Sequence, residues 1–196
     1  NSNRMNKHLF TVIVCLFNLG FGFCQNTTWR VELALNDRLN LPFFLEQFSN
    51  DDSTPSYRII NGKEEINLSS KQKKDSLQLN FLEMDGFLMI SQDSLANLRG
   101  YWQNNIKGQR IPLHGVSGDF PRFPSSSNSK PMRVAKKYNV TFSQSDDPWP
   151  AVGVFEQKGP ILNGTFLTET GDFRFLSGNV YNDELFLSCF GGSHAF

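Results

Sequence analysis

The feature that most constrains the fold of this chain is the alternation of apolar and polar residues in short runs separated by Gly, Asn, Asp and Pro. A period of two places every second side chain on one face of an extended strand, whereas a helix needs a period near 3.6. The clearest run spans 132–142, where every second residue except Lys136 is apolar. The sequence therefore predicts an all-β protein, an antiparallel meander that forms a barrel or a sandwich.

Three dipeptides, Asn61-Gly62, Asp85-Gly86 and Asn163-Gly164, are typical of tight turns, because Asn, Asp and Gly tolerate positive φ. Residues 94–98 form the one stretch predicted to be briefly helical. Besides the run at 132–142, the predicted strands are 29–35, 43–48, 57–60, 65–68, 76–82, 87–90, 151–157, 164–168, 172–176 and 184–190.

The alternation stops at 117–131, a segment rich in Pro and Ser that is predicted to be a linker or crossing loop. It separates a first β unit, 25–116, from a second β unit, 132–196. The sequences at 75–79 and 183–187 share an Asp and two Leu at the same spacing, which leaves open that the two units are related. Residues 193–196 are predicted to begin a further strand, so the second unit is expected to be truncated.

The first residues have the pattern of a secretory signal. Residues 1–4 precede Met5, the expected translation start, and 5–24 combine a basic residue, an apolar run too short to span a bilayer and small residues before Gln25. This predicts cleavage before Gln25, export to the periplasm or cell envelope, and no membrane span in the mature chain. A lipid anchor at Cys24 is the less favoured alternative, because bulky Phe23 precedes that cysteine.

The charge balance excludes the usual surface of a nucleic-acid binder. The sequence has 19 basic and 19 acidic residues, and removal of 1–24, which contain Arg4 and Lys7 but no acid, leaves a net charge of −2. There is no Cys-x-x-Cys, no His-x-x-x-His, no calcium loop and no glycine-rich phosphate loop. The sequence therefore predicts no metal, no cofactor and no nucleic-acid partner.

The sequence also offers few of the residues that nucleophilic catalysis requires. The mature chain has two histidines, His114 and His194, as bases for neutral pH. Its single cysteine, Cys189, alternates with Leu185 and Leu187 and is predicted to be a small core residue rather than an activated thiol. We therefore assign no catalytic, cofactor-binding or metal-ligating residue from the sequence.

A family resemblance supplies what these patterns do not. Residues 164–178, with the sequence Gly-Thr-Phe-Leu-Thr-Glu-Thr-Gly-Asp-Phe-Arg-Phe-Leu-Ser-Gly, continue at 185–188 and 192–196 in a pattern that resembles TlpA-like thiol-disulfide oxidoreductases of Bacteroidetes-type bacteria. The segments 124–131 and 151–155 resemble the same proteins. The likeness is to the β-rich extension that precedes their redoxin, or thioredoxin-fold, domain.

In that family the thioredoxin domain carries a Trp-Cys-x-x-Cys motif, whose first thiolate attacks a disulfide and whose second cysteine resolves it. The motif is absent from this sequence. The resemblance implies a non-catalytic N-terminal domain that positions a C-terminal thioredoxin-like domain or recognises its protein client, within a parent oxidoreductase. Two alternatives stay open: a β-barrel that binds a small apolar ligand, and an envelope structural or adhesion module.

Overall fold

The computed structural model of the protein describes residues 26–49, 54–125, 132–143 and 147–193. Within these ranges the regular elements are thirteen strands, and helices are absent. The strands form a closed barrel of eight and a separate curled sheet of five, and neighbouring strands run antiparallel. The predicted all-β antiparallel architecture is confirmed, although the two sheets differ in strand number and in closure.

The barrel is a meander whose last strand pairs with its first. Leu33 on the first strand lies opposite Leu113 on the last, so the sheet has no free edge. The strands are β1 (Thr27–Asn36), β2 (Leu39–Ser49), β3 (Pro55–Asn61), β4 (Glu64–Lys73), β5 (Ser76–Phe81), β6 (Gly86–Gln92), β7 (Leu98–Asn104) and β8 (Gln109–Ser117).

The barrel interior is filled by apolar side chains. Alternate residues of β1, namely Trp29, Val31 and Leu33, point inward and are buried, as the period of two requires. The Trp29 indole nitrogen donates a hydrogen bond of 2.7 Å to the carbonyl of Ala96, in the turn between β6 and β7. Other interior residues are Phe43, Leu45, Ile59, Leu79, Phe81, Leu88, Trp102 and Ile111.

The second sheet is a half-barrel with the order β13-β12-β11-β10-β9. Its smaller core contains Phe155, Leu162 and Val180, together with Val134 from the chain that precedes it. The backbone N–H of Phe155 donates to the carbonyl of Lys136, which ties that chain to the sheet. The strands are β9 (Lys137–Phe142), β10 (Trp149–Lys158), β11 (Ile161–Thr168), β12 (Gly171–Tyr181) and β13 (Glu184–Ser188).

Several local predictions are wrong. The dipeptide Asn163-Gly164 is not a tight turn but lies within β11, where a Cβ on Gly164 would be 2.4 Å from the Phe155 ring, so the glycine serves packing. The chain turns instead at 159–160, before that strand. Residues 94–98 form a turn and not a helix, because the Asp93 carboxylate accepts the backbone N–H groups of Leu95 and Asn97 and so holds a tight loop. Strands β7 and β8 were not predicted, since Pro112 interrupts the pattern, although its position in the barrel wall leaves the neighbouring apolar residues inside. The run at 132–142 is extended sheet only over β9.

The segment that follows β8 crosses from the barrel to the half-barrel. Over 118–125 it has no regular structure, and the backbone N–H of Phe123 donates to the Asn179 side chain on β12. The predicted signal segment, 5–24, lies outside the described residues. Of the strand expected at 193–196, Ser193 is described and the remaining residues are not.

Candidate recognition cleft between the two sheets

The two sheets meet at one end of the barrel, which we call the capped end. Because successive strands alternate in direction, the turns β3–β4, β5–β6 and β7–β8 all lie at this end, and the turns β4–β5 and β6–β7 lie at the opposite, distal end. The chain that leaves β13 reaches the capped end and closes it.

Phe190 is the side chain that caps the barrel. It is fully buried, and its ring centroid lies 4.6 Å from that of Phe43, 5.2 Å from that of Trp102 and 5.8 Å from that of Phe81. The prediction of one strand over 184–190, with Leu185, Leu187 and Cys189 on its buried face, is therefore wrong. The strand ends at Ser188, Leu185 is 40% exposed, and the following chain turns into the barrel.

Buried amides fix the backbone of the capping segment. The Asn61 side chain donates to the carbonyl of Phe190 over 2.9 Å and accepts the Phe190 backbone N–H over 3.3 Å. The Asn104 side chain donates to the carbonyl of Ser193 over 3.3 Å. Because buried backbone groups need partners, Asn61 and Asn104 supply hydrogen bonds to a segment whose ladder contact is an isolated bridge at Phe190.

Arg122, from the crossing segment, joins the same junction and is buried. Its guanidinium donates to the carbonyls of Ile60 (2.6 Å) and Pro42 (3.3 Å) on the barrel. On the half-barrel it donates to the hydroxyl of Ser188 (3.1 Å). Burial lowers the pKa of Arg122 to about 10, so it remains protonated at neutral pH. One guanidinium thus connects the two sheets and the crossing segment.

Beside the cap lies a cleft of about 580 Å³. It opens between the β3–β4 turn and the β5–β6 turn of the barrel on one side, and β12 on the other. Its volume falls in the range of roughly 300–1,000 Å³ that is usual for binding clefts. The cleft is lined by 64–67, 81–84, 172–176, Cys189, Gly191 and Ser193.

Three large apolar side chains surround this cleft while exposed to solvent. Leu82 is 68% exposed, Met84 is 41% exposed and Phe175 is 42% exposed. Phe175 lies in a bulge, where two residues of β12 oppose one residue of β11, and its φ is 59°. A bulky residue rarely adopts positive φ, so the sheet keeps Phe175 in the wall of this cleft at the expense of backbone strain; the residue also lines a smaller cavity beside Phe155.

The charge of the lining is mainly negative. It contains four carboxylates, of Glu64, Glu65, Glu83 and Asp172, and one guanidinium, of Arg174. Arg174 pairs with Asp172 at 2.7 Å, and Arg58 pairs with Glu65 at 2.5 Å. Among the described residues Glu64 and Glu83 form no ion pair. Burial raises the pKa of Glu64, partly offset by a hydrogen bond from Asn61.

Cys189 lines the cleft and is half-buried, not a core residue. Burial raises the pKa of its thiol to about 11; the charge of Glu64 adds to this rise and that of Arg122 opposes it. At neutral pH the thiolate is therefore scarce, and the thiol is a poor nucleophile.

His114, one of the two histidines considered as bases from the sequence, is not among the residues that line the cleft. His114 lies on the outer wall of the barrel, where its imidazole is 3.2 Å from the carboxylate of Glu32 on β1. His194 lies outside the described residues. Over the ranges that the structure describes, no group of three His, Cys, Asp or Glu side chains is arranged to hold a metal ion.

Sequence reasoning did not identify the cleft. A signal was present, since Leu82 and Met84 are large apolar residues beside the Asp85-Gly86 turn, where exposure is expected. The contribution of Phe175 could not be read from the alternation, because the bulge changes the face on which the residue lies.

Comparison with known proteins adds no relative. No family model, no curated protein and no solved structure matches this chain. In the described part of the chain there is also no helix long and apolar enough to cross a bilayer.

Proposed function

We propose that this chain is the non-catalytic β module of an exported thioredoxin-family thiol-disulfide oxidoreductase, and that it positions the redox domain. The proposal rests on the sequence resemblance at 164–196. The observation that best supports it is the anchoring of Phe190, within that segment, in the barrel core. A domain that continued from this segment would be held close to a rigid support.

The chemistry of the described thiol agrees with a non-catalytic role. Cys189 has a pKa of about 11, far above the value of a reactive thiolate. Disulfide exchange by a single chain needs an attacking and a resolving thiol. On the proposed processing, Cys15 and Cys24 are removed with the signal, so both catalytic thiols would belong to another domain.

The barrel interior does not favour the alternative of a small apolar ligand. Side chains such as Leu33, Leu45 and Leu88 are fully buried against one another, and Phe190 covers one end. Eight strands enclose a space that side chains just fill, so a ligand would have to displace this core.

The test begins with the gene, in which we expect a Cys-x-x-Cys motif within about the next 150 codons, the size of one domain. The extended protein should reduce insulin disulfides with dithiothreitol, and the chain ending at Phe196 should not. In the extended protein, Phe190→Ala should slow insulin reduction but leave reduction of a small disulfide unchanged.

A control variant is Leu185→Ala, which removes an exposed side chain from β13, the strand that precedes Phe190. A stop codon soon after Phe196 without the motif, or catalytic turnover by the present chain that Cys189→Ser abolishes, would contradict the proposal. Export is tested separately, because intact mass after expression in a Gram-negative host should give Gln25 as the first residue.

A further inference from the structure

We propose that the cleft at the capped end binds an extended segment of a protein partner that carries Lys or Arg side chains beside large apolar ones. The cleft is a local property of the described residues. The inference therefore goes beyond the proposed function and does not depend on a redox domain following this chain.

The sign of the charge selects a cationic partner. The carboxylates of Glu64 and Glu83 have no cationic partner among the described side chains, and the only guanidinium of the lining is already paired with Asp172. A cation that entered between these carboxylates would gain attraction from both, and the partly buried site screens it less than bulk water does.

Partial burial strengthens the expected attraction between Glu64 and a cation of the partner. The pKa of its carboxyl is raised because desolvation disfavours the charged form. An ammonium or guanidinium group placed beside it would restore the interaction that burial removes. Glu83 is exposed on the β5–β6 turn, so it can meet a second cation nearer to solvent.

The apolar residues select a polypeptide over a small amine. Leu82, Met84 and Phe175 are all more than 40% exposed, so much of their surface faces solvent. A small organic cation could pair with Glu64 but would leave this apolar surface in water. An extended chain brings a side chain to the same face at every second residue, so it can cover the apolar residues and meet the carboxylates together.

The strain at Phe175 supports a binding role for its ring. A φ of 59° would be relieved by Gly or Asn at this position, yet the chain places a large aromatic residue there. Strained residues are often found where a side chain must be presented to a ligand.

The test uses two fluorescent, end-blocked peptides, Gly-Lys-Leu-Phe-Leu-Lys-Gly and Gly-Glu-Leu-Phe-Leu-Glu-Gly, in which the charged residues and Phe share one face of the extended chain, and measures fluorescence anisotropy with the full chain. We expect the Lys peptide to bind at least tenfold more tightly, and its affinity to fall as salt is raised. The double variant Glu64→Gln, Glu83→Gln should weaken Lys-peptide binding at least tenfold.

Phe175→Asn removes the ring while keeping a residue that tolerates positive φ, so this variant should fold and bind the Lys peptide several-fold more weakly. Matched controls lie at the distal end of the barrel, where Asp75→Asn and Leu95→Ala should change affinity less than twofold. Hydrogen exchange should show peptide-dependent protection at 81–86 and 172–176.

Equal affinity for the two peptides would overturn the proposal. So would unchanged binding in both cleft variants, or protection confined to the distal end. Phenethylammonium that binds as tightly as the Lys peptide would show that the cleft takes a small amine instead. These outcomes do not depend on the gene beyond Phe196. They therefore test the cleft independently of the proposed function.

Discussion

At the scale of single residues, two adjacent glycines at the junction have different structural roles. Gly191 and Gly192 are neighbours in the sequence, but they occupy different environments. A Cβ on Gly191 would find its nearest atom, on Ile66, 4.0 Å away. A Cβ on Gly192 would lie 2.4 Å from the ring of Phe81, and the φ of Gly192 is 89°. Only the second glycine is required by the cap.

Gly192→Ala should therefore destabilise the protein by about 2–3 kcal/mol, through positive φ and the clash with the Phe81 ring. Gly191→Ala is the matched control and should change stability by less than about 1 kcal/mol, because there is space for the methyl group. Urea unfolding followed by circular dichroism measures both. Equal effects of the two substitutions would contradict the tight packing at Gly192.

Cys189 provides a prediction about pH. With a thiol pKa of about 11, the folded protein should react with iodoacetamide at pH 8 about a hundredfold more slowly than a free cysteine, whose pKa is about 8.5. The alkylation rate should rise with pH up to about 11, since only the thiolate reacts and its fraction grows as the pH approaches the raised pKa. Peptide mass spectrometry measures alkylation at Cys189. A rate that reaches half of its maximum near pH 8.5 would show a normal thiol.

At the scale of elements, the crossing segment is as important to the fold as a strand. Over 118–125 it forms no ladder, but Arg122 supplies donors to carbonyls of β2 and β3 and to Ser188 of β13. The guanidinium thus gives acceptors from three strands a charged donor at the buried junction, a contribution that the crossing segment makes without forming a ladder. The segment predicted to be a linker or crossing loop also supplies the polar connection between the sheets.

Arg122→Met should cost about 3 kcal/mol or more of unfolding free energy, because it removes the charged hydrogen bonds to Ile60, Pro42 and Ser188 at the buried junction. Arg122→Lys keeps the charge but concentrates three donors on one nitrogen, so it should recover less than half of that loss. Arg133→Met, at an exposed position before β9, is the control and should change stability by no more than about 0.5 kcal/mol. Full rescue by Lys would argue that charge alone is needed.

Local patterns predicted the elements better than their assembly. The period of two in β1 and the turns at Asn61-Gly62 and Asp85-Gly86 depend only on neighbouring residues, so they were readable from the sequence. Barrel closure requires β8 to meet β1, and Phe190 enters the barrel only because the chain leaves the half-barrel after Ser188. The cleft follows from both long-range events and from a bulge, so alternation could not reveal it.

At the scale of the whole molecule, a closed sheet and an open sheet meet at a junction whose apolar centre is the ring of Phe190. Phe190 belongs by sequence to the half-barrel and by packing to the barrel. A closed barrel has all of its strands paired, whereas the half-barrel relies on the junction and on a smaller core. Loss of the ring should therefore affect the two sheets unequally.

Phe190→Ala should lower the unfolding free energy by about 3–5 kcal/mol, the usual cost of truncating a buried Phe, and should separate the melting of the half-barrel from that of the barrel. Hydrogen exchange resolved by strand measures this difference, with β10 to β12 exchanging before β1 and β2. Leu185→Ala should leave a single transition. A single transition in Phe190→Ala as well would show that other contacts couple the sheets.

The capping of the barrel from a distant part of the chain also sets an order of folding. Every pair of adjacent barrel strands except β1 and β8 consists of strands that follow one another in the sequence. The hydrogen bond from the Ser188 hydroxyl to the carbonyl of Pro42, in contrast, joins residues 146 positions apart. Long loops close slowly, so the meander should form first and the cap last. During synthesis the apolar interior around Trp102 then faces solvent until residues 188–190 emerge, and a slow refolding phase in tryptophan fluorescence should report the moment of capping.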